Sequence, residues 1–494
     1  MAADGFGDRV VLGRQDSGLT AERVRAAACG GAAMLREQGA GALIYLDVNG
    51  PTFAVALFAA ARAGIPLVPI NYRLSAAQQA QLVAHHPRAT ILTGPEGTQL
   101  QVPDGTILTT TQWLAEATSR ADTVPADGSV AESSSPAVVI YTSGTTAEPK
   151  GVLLRHDNLV SYVLGTVEFA GAEPGDTALV SVPPYHIAAV ANVITNLYAG
   201  RRCIVLEQFT GEQWLELVRS ESVTHALVVP TMLARIMSAD ADHSVPSLRS
   251  LAYGGAPMPT KVIEAALLAW PSVNFANAYG LTETSSTVAV LGPDEHRAAI
   301  GSDDPKQRAR MSSVGRPVPG VEIEIRGTDG TGEALSPGQV GRIWVRGDQV
   351  SGEYAGAGSV LDPQGWFDTR DEGYLDEDGY LFVGGRTDDT IIRGGENIAP
   401  AEIEEAILAL DGVDDAVVVG VPDLEWGQRL ESAVVAAAGV TLDPEAIREH
   451  VRTQLRSSKT PDHIVVWDEL PRTETGKIIR KRVLERMALD DASS

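Results

Sequence analysis

The sequence predicts an α/β protein. A large N-terminal domain would rest on mainly parallel sheets flanked by helices and carry a small β-barrel, with a small C-terminal α+β domain after it. Three observations predict this. Short apolar runs alternate with helical segments up to about residue 300, short strands with Gly and Pro turns fill 312–385, and a compact mixed stretch follows. The 494 residues also exceed what one ordinary core fills, so two or more domains are expected.

The elements follow in order. "ALIYLDV" (42–48), "AVVIYT" (137–142), "ALVVP" (226–230) and "SLAYGG" (250–255) read as strands, and "GEQWLELVRS" (211–220) and "PTKVIEAALLAW" (259–270) as helices. Several of these strands run straight into Gly-rich loops, where ligands of such sheets bind. The segment 121–136, "ADTVPADGSVAESSSP", reads as a surface loop. "VEIEIRG", "GRIWVRG" and "GYLFVGG" are short strands with the character of an antiparallel barrel (312–385). The polar stretch Arg386–Asp389 suits a hinge, which divides the chain into 1–387 and 388–494. Beyond it, helix "AEIEEAILAL", strands "DAVVVGVP" and "ESAVVAAA", a helix at 443–456 and strand "HIVVWDEL" complete the α+β unit.

Composition excludes several function classes. Net charge is -25, so attraction to nucleic acid or anionic membranes through overall positive charge is not expected, and an anionic ligand needs a local positive site. The two cysteines, Cys29 and Cys203, form neither a disulfide framework nor a CxxC metal site, which suits a cytoplasmic protein. "MAADGFGDRV" has no signal-peptide character, and "FAVALFAAARAGIPLVPI" is broken by Arg62 and two prolines, so no membrane span is expected.

The chemistry concentrates in "YTSGTTAEPKGV" (141–152). Glycines let a backbone approach an anion, hydroxyls and N–H groups donate to its oxygens, and a lysine adds charge. Lys150 precedes Gly151, so the loop is not a G-x4-G-K-[ST] phosphate loop. Taken alone, a Ser/Thr/Gly loop of this kind is more often just an ordinary surface turn.

Together with "PPYHIAA", "GGAPM", "NAYGLTETS", "GWFDTRDEGYLDEDGY", "GRTDDTIIRGGENIAPAEIE" and "PRTETGKIIRK", in that order, the loop resembles the motifs of the adenylate-forming family. That family includes acyl-CoA synthetases, stand-alone adenylation domains and luciferase-like enzymes. The resemblance covers nearly the whole chain. It implies ATP, Mg²⁺ and coenzyme A as ligands, a small carboxylic acid as substrate, and no nucleic acid or membrane partner. Oligomeric state is left open.

By resemblance, Thr142, Ser143, Gly144, Thr145, Thr146 and Lys150 embrace the β- and γ-phosphates. Gly254, Gly255 and Ala256 form a flat slot for adenine, Tyr279 stacks on it, and Gly280 belongs to the same loop. Thr282 touches the α-phosphate. Glu283 is a Mg²⁺ ligand, a lone carboxylate whose place beside phosphates a bridging cation explains. Asp371 and Arg386 bind the ribose. The family usually has Gly before that Asp where this chain has Arg370, which leaves the local backbone geometry open. Lys477 in "TETGK" is the catalytic lysine, stabilising charge at the α-phosphate as pyrophosphate departs. It belongs to the C-terminal domain, so it acts only when that domain closes. For the second half-reaction the mobile domain rotates about Asp388. Arg393, Gly394, Gly395 and Glu396 then line the path of coenzyme A. His186 either gates the acyl pocket or touches the carboxylate, and is equally at home as a packed histidine.

The acyl pocket is expected from Ala188, Leu281, "GGAP" and the helix after "VVPT". On that helix Thr231, Arg235 and Met232 can share a face, and Arg235 can hold a second carboxylate, or simply sit on a solvated face. The whole chain looks similar to bacterial malonyl-CoA synthetases, which implies malonate or methylmalonate as the acid. Alternatives are another short, medium or aryl acid, or an adenylation enzyme loading a carrier protein. Amino-acid activators carry an Asp for the amine, and no clear counterpart is found here. A nucleotide-binding regulator without chemistry has no need of Lys477 and Glu283.

Overall fold

The computed structural model describes residues 1–97, 100, 105–121, 132–142, 149–327, 332–386, 389–393, 396–423, 426–455, 457–473 and 476–493. Two large sheets dominate. In the first, Asn274–Leu281, Ser250–Gly254, His225–Val228, Thr177–Val180, Arg202–Val205 and Val10–Leu12 run parallel in that spatial order. Ser286–Leu291 and Arg316–Pro317 add antiparallel beyond Asn274–Leu281, and Leu19–Thr20 beyond Val10–Leu12. In the second, Pro136–Thr142, Leu67–Pro69, Leu43–Leu46, Thr90–Thr93 and Thr106–Thr109 are parallel. Lys150–Arg155 pairs antiparallel with Pro136–Thr142, and the two-residue strand Glu353–Tyr354 pairs antiparallel with Lys150–Arg155.

Parallel strands buried on both faces need apolar runs rather than alternation. Leu43–Leu46 and Thr177–Val180 are buried at every position. One apolar core, including Leu43, Val138, Ile140, Val180, Val190 and Cys203, spans both sheets, with the helix Ile187–Ala199 contributing to it. The strands expected near 42, 137, 226 and 250 are Leu43–Leu46, Pro136–Thr142, His225–Val228 and Ser250–Gly254. The two expected helices are Gly211–Ser220 and Thr260–Ala269.

Where the sequence suggested a barrel, the structure has an open antiparallel sheet. Glu322–Arg326 and Leu381–Arg386 are its opposite edges, with Gly341–Arg346 and Phe367–Leu375 between them. The Leu381 edge is capped by Val314 and Gly315, through Val314 N–H to the Leu381 carbonyl and Leu381 N–H to the Gly315 carbonyl. Its apolar face packs on Val288 and Ala289 of the first large sheet, so the two share a core. That packing covers the face which closure into a barrel would otherwise have to hide.

After residue 388, Val413–Asp423 and Gly427–Ala436 form an antiparallel hairpin, and His463–Trp467 adds parallel to it. Helices Pro400–Leu408, Pro444–Gln454 and Arg480–Ser493 complete this unit. Its two apolar clusters, one around Ile403, Val418 and Ile464 and one around Val417, Trp467 and Val483, draw on residues 391–487 alone. Part of the expected surface loop, residues 122–131, lies outside the described residues. Cys29 and Cys203 are free and buried, and burial pushes the Cys203 thiol up to about 12. Among the described residues no helix is long and apolar enough to cross a membrane.

Candidate active site

The phosphate-loop candidates hang from a hairpin. Thr142 lies opposite Lys150 in register, and Thr142 Oγ1 donates to the Lys150 carbonyl at 3.4 Å, which holds the two ends of the loop together. Ser143, Gly144, Thr145 and Thr146 lie outside the described residues. Just before the loop, the Tyr141 hydroxyl meets His86 Nε2 at 2.8 Å and His85 Nδ1 at 3.3 Å. Burial lifts the phenol to about 12 and takes His86 down to about 4, so Tyr141 and His86 form a neutral anchor at pH 7.

Glu283 sits on a strained turn between Asn274–Leu281 and Ser286–Leu291. Thr284 is fully buried and staples the turn: its hydroxyl donates to the Ser286 carbonyl at 2.7 Å, lies 3.0 Å from the Leu281 carbonyl, and accepts from Leu281 N–H (3.0 Å). Ser285 and Ser286 both take positive φ, +56° and +104°, a conformation that L-residues avoid. A Cβ on Gly280 would stand 1.8 Å from the Ser286 carbonyl oxygen, so only glycine fits there. The turn thus presents Thr282 and Glu283 on a backbone with little freedom. The Glu283 carboxylate accepts from the Tyr354 hydroxyl at 2.7 Å (Oε1), and Lys150 Nζ lies 5.8 Å from the centroid of the Tyr354 ring.

The nucleoside candidates converge separately. Tyr279 donates through its hydroxyl to Asp371 Oδ2 at 2.6 Å, and Asp371 is 6% exposed. Asp371 stands opposite Arg386 in register; the Arg386 side chain lies outside the description. Arg370 takes φ +62°, which explains structurally why a glycine suits this place. Gly255 has φ +84°, and a Cβ on Gly254 would meet the Ala278 carbonyl oxygen at 2.1 Å. Ala256, next to them, is half-buried.

Lys477 reaches this region through its own turn. Thr473 N–H donates to the Lys477 carbonyl (2.7 Å), Lys477 N–H donates to Thr473 Oγ1 (3.0 Å), and the Arg472 guanidinium grips both Asp415 carboxylate oxygens at 2.6 Å. Gly476 is buried with φ +79°, and a Cβ there would lie 2.1 Å from Thr231 Oγ1. Thr231 opens the helix Pro230–Met237, directly after the strand His225–Val228. The lysine turn therefore rests against the loops at the carboxyl ends of the parallel strands. Beside it Thr260 donates to Glu405 (3.0 Å) and Lys261 pairs with Asp411 (3.3 Å).

The acyl-side candidates fare unevenly. His186 precedes the helix Ile187–Ala199, and desolvation takes its pKa down to about 4, so it is neutral at pH 7. Ala188 packs against the apolar core, and Leu281 is half-buried. Met232 does not share a face with Thr231 and Arg235. It is buried with Leu233 and Ile236 in the core, because one residue of helix turns it about 100° away. Arg235 is exposed, and its guanidinium has no partner among the described residues.

Of the coenzyme candidates, Arg393 is engaged within the small domain. Arg393 pairs with Asp462 at 2.7 Å and lies over Trp426, its guanidinium 5.5 Å from the ring centroid. It stands opposite Glu396 in a short hairpin. Gly394, Gly395 and Asp388 lie outside the described residues. Sequence reasoning missed Tyr354 and Gln349. The latter is buried and donates to the Thr284 and Thr287 carbonyls at 3.0 and 2.8 Å. Neither belongs to a periodic pattern, so only a tertiary contact reveals them.

Comparison with known proteins identifies the family. The AMP-binding enzyme model matches residues 1–355, and the AMP-binding enzyme C-terminal domain model matches 402–477. The chain is 34% identical over 468 residues to the fatty acid–[acyl-carrier-protein] ligase ScoC of Streptomyces coeruleorubidus, covering 91% of this chain and 87% of that one. It is 33% identical over 460 residues to a feruloyl-CoA synthase of an Amycolatopsis species, covering 90% and 88%. In fold it superposes on ATP-bound MatB of Rhodopseudomonas palustris with a TM-score of 0.85, at 24% identity and 98% coverage of both chains. The chain belongs to the AMP-binding enzyme family, the adenylate-forming acid ligases.

Proposed function

We propose that this chain is an ATP-dependent acid–CoA ligase working in two half-reactions. First, a carboxylate oxygen of the acid attacks the α-phosphorus of ATP, the bond to the leaving oxygen breaks, and pyrophosphate departs to give acyl-AMP. Then the thiol of coenzyme A loses its proton and attacks the acyl carbon, and AMP leaves with the bonding pair. The observation that carries this reading is the Lys477 turn resting on Thr231, with Gly476 too close to carry a side chain. On this reading the lysine next to Gly476, a cation of the small domain, works at the strand-end loops that Thr231 belongs to.

The residues divide the work. Thr142–Thr146 and Lys150 hold the β- and γ-phosphates, Thr282 the α-phosphate, Tyr279 and Gly254–Ala256 the adenine, and Asp371 and Arg386 the ribose. Lys477 offsets the negative charge that builds as pyrophosphate leaves, a role whose loss typically costs about 10²–10³ in rate. Among the described residues no cluster of three or more His, Cys, Asp or Glu forms a metal cage. A single carboxylate, one lone pair of which Tyr354 occupies, fits Mg²⁺, which keeps its waters and takes substrate phosphate oxygens. Glu283 would hold it, and the ion would neutralise triphosphate charge. A neutral His186 offers the acid a hydrogen bond rather than a charge. For the thiol step the small domain turns about Asp388, and the hairpin from Arg393 to Glu396 comes to the site.

For the acid we propose malonate or methylmalonate, with Arg235 holding the distal carboxylate. Arg235 lies one helical turn beyond Thr231, and its guanidinium has no competing partner among the described residues. A second reading, loading of a carrier-protein thiol, is favoured by the identity to ScoC. The test is acid-dependent AMP release, with CoA and a carrier protein as alternative acceptors, across malonate, methylmalonate, acetate, octanoate and benzoate. The first reading expects CoA thioester formation with the dicarboxylates fastest. AMP release only with a carrier protein removes it, and equal rates on monocarboxylates remove the malonate assignment.

A further inference from the structure

We propose that Tyr354 is a positioning residue: it aims the Glu283 carboxylate at the metal and fixes the phosphate-loop hairpin relative to it. The inference deepens the ligase reading and rests on it. Lys150 belongs to one large sheet and Glu283 to a turn of the other. A strap, residues 349–355, connects the two. At one end Gln349 donates to the Thr284 and Thr287 carbonyls, and the N–H groups of Ser351 and Gly352 donate to the Glu283 carbonyl (2.8 and 3.2 Å). At the other end Tyr354 pairs with Val152, Ala355 N–H donates to the Gly151 carbonyl (2.8 Å), and Arg155 clamps Glu353 through two bonds of 2.8 Å. The Ser351 hydroxyl also donates to the Leu153 carbonyl.

Alternation along Glu353–Tyr354 sends the two side chains to opposite faces. Glu353 goes to Arg155, and Tyr354 goes to Glu283 and Lys150. The phenol then does two things at once. Its hydroxyl donates 2.7 Å to Oε1 and fixes the carboxylate rotamer, so that the remaining carboxylate oxygen would serve the ion. Its ring face lies 5.8 Å from the Lys150 ammonium, within the range of a cation–π contact. The hydroxyl serves the metal and the ring serves the phosphate-binding lysine, so the two contributions are separable by substitution.

The test is calorimetric binding of ATP with saturating Mg²⁺ and with EDTA, for the full chain and for Tyr354→Phe and Tyr354→Leu. It is run beside thermal melting and the Mg²⁺ dependence of acid-driven AMP release. Removing a group that orients a metal ligand weakens metal affinity about 10-fold. Tyr354→Phe is expected to weaken ATP binding by about that factor in Mg²⁺ only, to raise the half-saturating Mg²⁺ alike, and to leave melting and EDTA affinity unchanged. Tyr354→Leu is expected to lower the EDTA affinity as well. Unchanged Mg²⁺ dependence in Tyr354→Phe overturns the proposal, as does an equal loss with and without the ion. If the unsubstituted protein releases no AMP with any acid, the ligase reading falls, and the binding measurements still decide the role of Tyr354.

Discussion

Tyr279 donates a 2.6 Å hydrogen bond to Asp371, tying the strand Asn274–Leu281, with the proposed adenine-stacking ring, to Phe367–Leu375, with the proposed ribose acid. A bond to a carboxylate is charge-assisted and contributes about 1.5–3 kcal/mol when both partners are held. Tyr279→Phe keeps the ring and removes this one bond to Asp371. KM for ATP is expected to rise about 10-fold with kcat nearly unchanged, because binding is lost equally in ground and transition states. Steady-state kinetics over ATP at saturating acid and CoA checks this, and a fall in kcat with unchanged KM contradicts it.

Gly476→Ala tests the docking of the lysine turn. The new Cβ would meet Thr231 Oγ1 at 2.1 Å, and φ of +79° disfavours any L-residue. Adenylate formation, followed by acid-dependent pyrophosphate exchange, is expected to fall about 10-fold or more, since misplacement by about 1 Å costs that much and beyond. Thioester formation from preformed acyl-AMP is expected to stay near normal, because in the proposed cycle that step uses another orientation of the small domain. Equal losses in both steps point to damage within the small domain instead.

Arg370→Gly is expected to stabilise the protein. An L-residue in the left-handed region costs about 1–2 kcal/mol, and glycine returns part of that as lost chain entropy. A rise in melting temperature of about 1–2 °C is expected with AMP formation retained. A lower melting temperature would show that the Arg370 side chain contributes more than its backbone costs.

The folded pKa of His186 is depressed to about 4 from an ordinary 6.5, so the folded state binds its proton less readily than the unfolded one. Its contribution to stability is complete above about 6.5 and is lost as pH falls toward 4. His86 and His225, also lowered to about 4 by burial, act in the same direction. Melting temperature is expected to fall steadily from pH 6.5 to 4.5, and His186→Asn is expected to flatten part of that slope. kcat/KM should show no ionisation of His186 between pH 6 and 8. An acidic limb near 6.5 that vanishes in His186→Asn contradicts the neutral assignment.

Much of this was legible in the sequence because it is local. Strand 250–255 announces itself by an apolar run ending in glycine and strand 137–142 by an apolar run that leads into a glycine-bearing loop, and Gly255 and Gly476 sit where positive φ leaves glycine the favoured choice. The open sheet read as a barrel because short alternating strands look alike in both, and only the packing on Val288 and Ala289 decides. Tyr354 was illegible for the opposite reason. Its strand is two residues long, and its partner Glu283 lies 71 positions away. Met232 was misplaced on its helix because one position of slip separates the Thr231 face from the core.

The central claim is that Lys477, carried by the small domain, drives adenylate formation. The most direct measurement is acid-dependent pyrophosphate exchange by Lys477→Ala with saturating ATP and acid. A fall of about 10²–10³ with ATP binding retained is expected. Undiminished exchange would contradict it.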